Sequence, residues 1–139
     1  MGFITRVLLA VVGLLTLASC GFGKSKEIAA KSVTTFHQEY NNSKFGEIYS
    51  GATPAFKTAT KEGDFLKFIE AVHRKLGPFQ TATQSGWQVN ATTSGKFVVL
   101  SFNSQFENGA AAETFTFVVS GESAALQKYN INSPVLIIN

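Results

Sequence analysis

The chain has 139 residues, 45% of them hydrophobic, and a formal net charge of +3 from 12 basic and 9 acidic side chains. That length suits one domain with its own core, and so mild a charge argues against a nucleic-acid surface. A single cysteine, Cys20, excludes an intrachain disulfide.

Arg6 is the only charge before Lys24, and residues 7–17 form an almost wholly apolar run closed by the small residues Ala18 and Ser19. A basic start, a short apolar core and a small-residue end predict a secretory signal over residues 1–19. A spanning helix needs about 20 apolar residues, more than this run provides. Leu17-Ala18-Ser19-Cys20 resembles the lipobox of bacterial lipoproteins, an aliphatic residue and two small ones before a cysteine. The resemblance implies that the Cys20 sulfur receives a diacylglyceryl group and that cleavage leaves Cys20 as the N-terminus. Each buried acyl methylene contributes about 0.8 kcal/mol and one chain anchors only marginally, so two or three chains on Cys20 are needed for a durable hold. The plainer alternative is an ordinary secreted protein whose Cys20 is removed or left free. A catalytic cysteine is a poor reading, because no His or acid lies near it in sequence and a tether gives it no rigid surroundings. Lipidation of Cys20 also leaves no thiol for a cysteine-based zinc site. Gly21 stands where an Asp commonly retains such lipoproteins at the inner membrane, so the same resemblance implies the outer membrane, facing the periplasm.

Residues 20–27 read as the lipidated cysteine and a short tether, and residues 28–139 as one domain. The seven residues from Gly21 reach roughly 25 Å when extended. Lys24, Lys26 and Lys31 lie near the anchor, where anionic headgroups attract basic side chains; a solvated tether and helix start explains them equally well. From Ile28 to about Tyr40 the spacing of Val33, Phe36 and Tyr40 predicts a helix. Asn41-Asn42-Ser43 stops it, with Ser43 as cap of a short helix carrying Phe45, Ile48 and Tyr49. Pro54 suits the first position of another short helix holding Phe56. The clearest helix runs from Asp64, its expected N-cap, through Phe65, Phe68, Ile69, Val72 and Leu76. Leu76-Gly77-Pro78 ends it.

After Pro78 the period changes to two. Thr81 to Val89 predicts a first strand, and Phe97 to Phe106 a second with Val98, Leu100, Phe102 and Phe106 on one face. Asn108-Gly109 is the strongest hairpin signal. Thr114–Val119 predicts a third strand with Phe115, Phe117 and Val119 together, and residues 126–131 a fourth. Evenly spaced turns predict an antiparallel meander whose apolar face the helices cover, an α+β fold.

This layout of aromatic-rich helices around Phe36, Tyr40, Phe45 and Tyr49, then Phe65 to Gly77, then four strands, resembles small NTF2-like (cystatin-like α+β) bacterial lipoproteins of a domain-of-unknown-function type. The resemblance covers most of residues 28–133. It implies a sheet curled around helices with room for a cone-shaped pocket. Some relatives of that fold are isomerases or dehydratases and many only bind.

Acid–base chemistry needs a titratable group in that pocket, and beyond the signal the chain offers two histidines, one aspartate and one arginine. His37 sits at the border of a core face and His73 beside Arg74, with Glu70 one helical turn earlier; a surface or structural role is expected for both. No metal-ligand spacing, nucleophile elbow or phosphate loop occurs, so neither metal nor cofactor is expected. Tyr40, Tyr49, Trp87 and Tyr129 have apolar bodies and polar tips that suit a ligand cleft, or simply the edge of a core. The tail from Ser133 to Asn139 is expected to fold back as an edge strand, or to dock on a second copy or another protein. The reading that results is a membrane-anchored lipoprotein with a non-catalytic binding or interaction role. The alternatives are a binder of a small apolar ligand in the concave sheet and, below it, an isomerase- or dehydratase-type enzyme.

Overall fold

The computed structural model describes the backbone of residues 2–138 and the side chains of residues 21–138. The expected signal and Cys20 lie outside the residues whose side chains are described. Five helices and four strands follow one another: α1 (Gly2–Asn41), α2 (Phe45–Ser50), α3 (Pro54–Ala59), α4 (Glu62–Leu76), β1 (Phe79–Thr92), β2 (Gly95–Phe106), β3 (Gly109–Ser120), β4 (Ser123–Asn132) and α5 (Pro134–Ile137). The strands form one antiparallel sheet in the order β1-β2-β3-β4. This is the expected α+β arrangement of helices followed by a meander. Among the described residues no helix is long and apolar enough to cross a membrane.

The core follows from two periodicities. Helix α1 buries Ala29, Val33, Phe36 and Tyr40, three to four residues apart, and α4 buries Phe65, Ile69, Val72 and Leu76 in the same way. They meet alternate sheet residues: Val98, Leu100 and Phe106 of β2, and Ala111, Phe115, Phe117 and Val119 of β3. Phe68, expected in the α4 stripe, remains 44% exposed, with its ring 6.4 Å from that of Tyr129. Its position falls at the margin of the buried stripe.

Several local expectations are corrected. Residues 21–27 belong to α1, so this stretch rises about 1.5 Å per residue and spans well under half of the extended reach. The cap of α4 is Lys61, and Asp64 lies inside the first turn, where its charge complements the helix dipole. Lys44 caps α2 without a side-chain bond, and Ser43 takes a positive φ of 55° in the turn before it. Pro54 does open α3, where Thr53 Oγ1 accepts from Phe56 N–H at 3.1 Å.

The β2–β3 hairpin turns on Glu107-Asn108, one residue earlier than Asn108-Gly109, since Gly109 already pairs with Phe106. The turn is held from outside: Glu107 N–H donates to Pro78 O and Asn108 N–H to Leu76 O, both at 2.9 Å. Asn108 Nδ2 also donates to Lys75 O at 3.1 Å, so this hairpin satisfies carbonyls at the open end of α4. Gly109 is needed for space, because a Cβ there would lie 2.6 Å from Val135 Cγ2.

That contact belongs to the second correction at the C-terminus. The tail forms the helical turn α5, not an edge strand. Ser133 caps it, donating to Ala110 O at 2.6 Å and accepting from Val135 N–H at 3.3 Å. Lys75 Nζ donates to Leu136 O at 3.2 Å, tying α5 to α4. Pro134 favours this outcome: its fixed φ opens a helix and its missing N–H weakens a strand.

Candidate functional site

The alternation of β3 that buries Phe115, Phe117 and Val119 also turns Glu113 into the core, where its side chain is fully buried. A charge in that position requires hydrogen-bond donors. Three elements supply them. Tyr129 of β4 donates its hydroxyl to Glu113 Oε2 at 2.6 Å. Ser104 of β2 donates to Oε1 at 2.6 Å, and His37 of α1 places Nε2 2.9 Å from the same oxygen. A carboxylate accepts and never donates, so the three groups point their hydrogens at it.

Aromatic rings close the cluster. The imidazole of His37 stacks on Phe79 with ring centroids 3.5 Å apart and planes within 3°. Phe36 and Phe115 meet it edge-on at 5.8 and 5.7 Å. The ring of Tyr129 packs 4.7 Å from Phe36 and 5.0 Å from Phe115. Burial, together with the Glu113 charge and the bond to it, holds the Tyr129 hydroxyl well above the ordinary tyrosine range. Tyr40 is raised for the same two leading reasons, burial first and then the Glu113 charge. The packed aromatic rings crowd the space around Glu113, and grooves lie beside them.

One such space is a groove of about 540 Å³ between α1 and β1. Ala30, Val33, Phe79, Ala82 and Phe102 line its apolar part, with His37 among them. Asn41 closes one end by bonding both backbone groups of Phe79: Phe79 N–H donates to Asn41 Oδ1 at 2.7 Å and Asn41 Nδ2 donates to Phe79 O at 3.0 Å. A smaller groove, about 180 Å³, lies beside Tyr129, Phe68 and Phe56.

The four aromatic residues expected at a pocket are distributed over separate surroundings. Tyr40 is buried and donates to Gly77 O at 2.8 Å, which ties α1 to the end of α4. Tyr49 donates to Thr60 O at 2.9 Å and steadies the turn after α3. Trp87 is 54% exposed, with Lys26 Nζ 4.6 Å from its ring centroid. Only Tyr129 joins the Glu113 cluster. His37 is more deeply set than the border position expected. His73 makes no ion pair with Glu70; its ring turns inward, 4.9 Å from Tyr40 and 5.6 Å from Phe45. No group of three or more His, Cys, Asp or Glu residues suited to a metal ion occurs among the described residues.

Glu113 and Ser104 are legible in the strand alternation, though they belong to no motif. Glu113 has the parity of Phe115 and Phe117, and Ser104 that of Leu100 and Phe106. A carboxylate on the core side of a strand is itself the signal.

The fold and this cluster define a class: a small α+β domain with a buried carboxylate bonded by three side chains at the heart of its helix–sheet interface. The chain belongs to the family described as protein of unknown function DUF4019, whose pattern matches residues 32–126. That span contains His37, Ser104 and Glu113, and ends before Tyr129. A search of curated proteins finds no match to the chain.

Proposed function

We propose that the protein is a lipid-anchored binding module of the bacterial cell envelope, held through Cys20 at the membrane, most simply the periplasmic face of the outer membrane. Its domain is NTF2-like in kind, with helices laid across a four-stranded sheet. Its role is non-catalytic. One observation supports that last point: Glu113 is fully buried, and both its oxygens accept from side chains of the protein itself. A general base needs an oxygen within reach of a substrate proton, and this carboxylate is fully buried. The same bonds give it a structural purpose, pinning α1, β2 and β4 to β3.

Binding then falls to the grooves at the edge of the concave face, with a small apolar ligand as the second form of the same reading. Protein partners, including a second copy, have the exposed Ile137 and Ile138 as the most apolar available contact. The anchor supports a place at the membrane; nothing in the charge supports nucleic acid.

Two measurements test this. Replacement of Cys20→Ser is expected to leave an unlipidated precursor, read by mass spectrometry of the membrane fraction; normal processing and membrane retention of that variant would remove the anchor. Turnover of any small substrate at a rate abolished by His37→Gln would remove the non-catalytic reading.

A further inference from the structure

His37 has two ring nitrogens and only one is used. Nε2 serves Glu113, and Nδ1 has no hydrogen-bond partner among the described residues. Among the described residues the one side-chain nitrogen or oxygen that is both fully buried and unpartnered is Nε2 of His73. Nδ1 of His37 therefore keeps contact with the outside, although the residue as a whole is 95% enclosed (5% exposed). The opening is the groove between α1 and β1, which His37 lines. The ring cannot turn to hide this atom. Glu113 holds one end and the face of Phe79, at 3.5 Å, holds the plane.

The tautomer follows from the partner. Glu113 already accepts from Ser104 and Tyr129, so it takes the hydrogen on Nε2 and a neutral ring leaves a lone pair on Nδ1. With the ring neutral, the groove combines a fixed acceptor with an apolar bed of Val33, Phe79, Ala82 and Phe102. Pockets for small molecules have this composition, mostly apolar with one or two placed polar atoms.

We propose that the α1–β1 groove binds a small amphipathic molecule with an apolar body and one hydroxyl, the hydroxyl donating to Nδ1 of His37. The inference rests on the binding-module reading and gives that module a site and a ligand class. A buried carboxylate that orients the ring through its far nitrogen makes His37 a positioning device for a ligand's O–H, with Glu113 acting only through it.

The test uses the mature lipoprotein in detergent micelles with its two histidines labelled with ¹⁵N, and 4-ethylphenol as the probe. The expected result is a saturable change at Nδ1 of His37 with His73 unmoved. Binding should be about three- to tenfold tighter than for 4-ethylanisole at equal free concentration, the worth of one net hydrogen bond. Two groove-filling substitutions, Ala82→Phe on the strand and Ala30→Leu on the helix, should each abolish the response. The Glu113–His37 bond remains intact in both, so a folded variant is read from the unliganded Nε2 signal. No response at His37, or an equal response to the anisole, overturns the proposal. Preference for 4-ethylbenzoate overturns it too, since an anion requires Nδ1 to donate. A saturable response at His73 alone also overturns this site, while the binding-module reading survives. Conversion of the probe to a product would break that reading instead.

Discussion

The two histidines sit on different helices and meet different fates. His37 of α1 points at a carboxylate that is itself held by a serine and a tyrosine, and its ring is fixed in place and plane. His73 of α4 turns into a niche of Tyr40 and Phe45 and leaves Nε2 buried without a partner. The first region resembles a joint, with α1, β2 and β4 fastened to one side chain of β3. The second resembles packing, in which the ring is a flat apolar filler with one unused nitrogen. Identical side chains thus differ in consequence because a buried polar atom contributes through its partner and costs free energy without one.

The comparison breaks most easily at Glu113. Glu113→Ala removes the shared acceptor and strands three donors, and should cost about 3 kcal/mol or more, since each buried donor left unpaired costs about 1–3 kcal/mol. Urea unfolding of the variant against the parent reads this; a loss within experimental error would show that the joint holds nothing. Tyr129→Phe removes one donor to that charge while keeping the ring among Phe36 and Phe115. Its expected cost is smaller, about 1.5–3 kcal/mol.

The same tyrosine sets an alkaline limit. In the unfolded chain it titrates near the ordinary tyrosine value of 10.0, and in the folded protein well above it. The folded state therefore keeps the proton that the unfolded state gives up. Its contribution is complete below about pH 10 and falls as pH rises beyond that value towards the folded one. Unfolding midpoints followed into that range should decline more steeply for the parent than for Tyr129→Phe. Parallel slopes would mean that Tyr129 does not carry the effect.

The smallest change is expected in the other region. His73→Phe keeps a ring of similar width against Tyr40 and Phe45 and deletes the unpartnered nitrogen. Stability should stay level or rise by up to about 1 kcal/mol. A clear loss would mean that Nε2 has a partner in solution, and the contrast between the two histidines would narrow to one of degree.

The elements themselves were largely readable from side-chain order. Val33, Phe36 and Tyr40 at helical spacing, and Phe115, Phe117 and Val119 at alternate positions, report directly which face meets the core, because burial selects apolar residues at the period of the backbone. The ends of elements were less readable. Asp64 looks like a cap, yet the helix begins two residues earlier. Asn108-Gly109 looks like a turn centre, yet Gly109 is a strand residue that makes room for Val135. In each case a contact far away in sequence decides between two locally acceptable geometries.

The site divides along the same line. By itself the order of residues determined that Glu113 faces inward, since its neighbours of equal parity are phenylalanines, and that the chain folds as helices followed by a meander. Only the tertiary structure decided what Glu113 would meet. Its donors come from positions 37, 104 and 129, on three elements that no local pattern joins. Periodicity records the direction of a side chain relative to its own backbone, but a hydrogen bond needs the distance between two backbones, which packing alone sets.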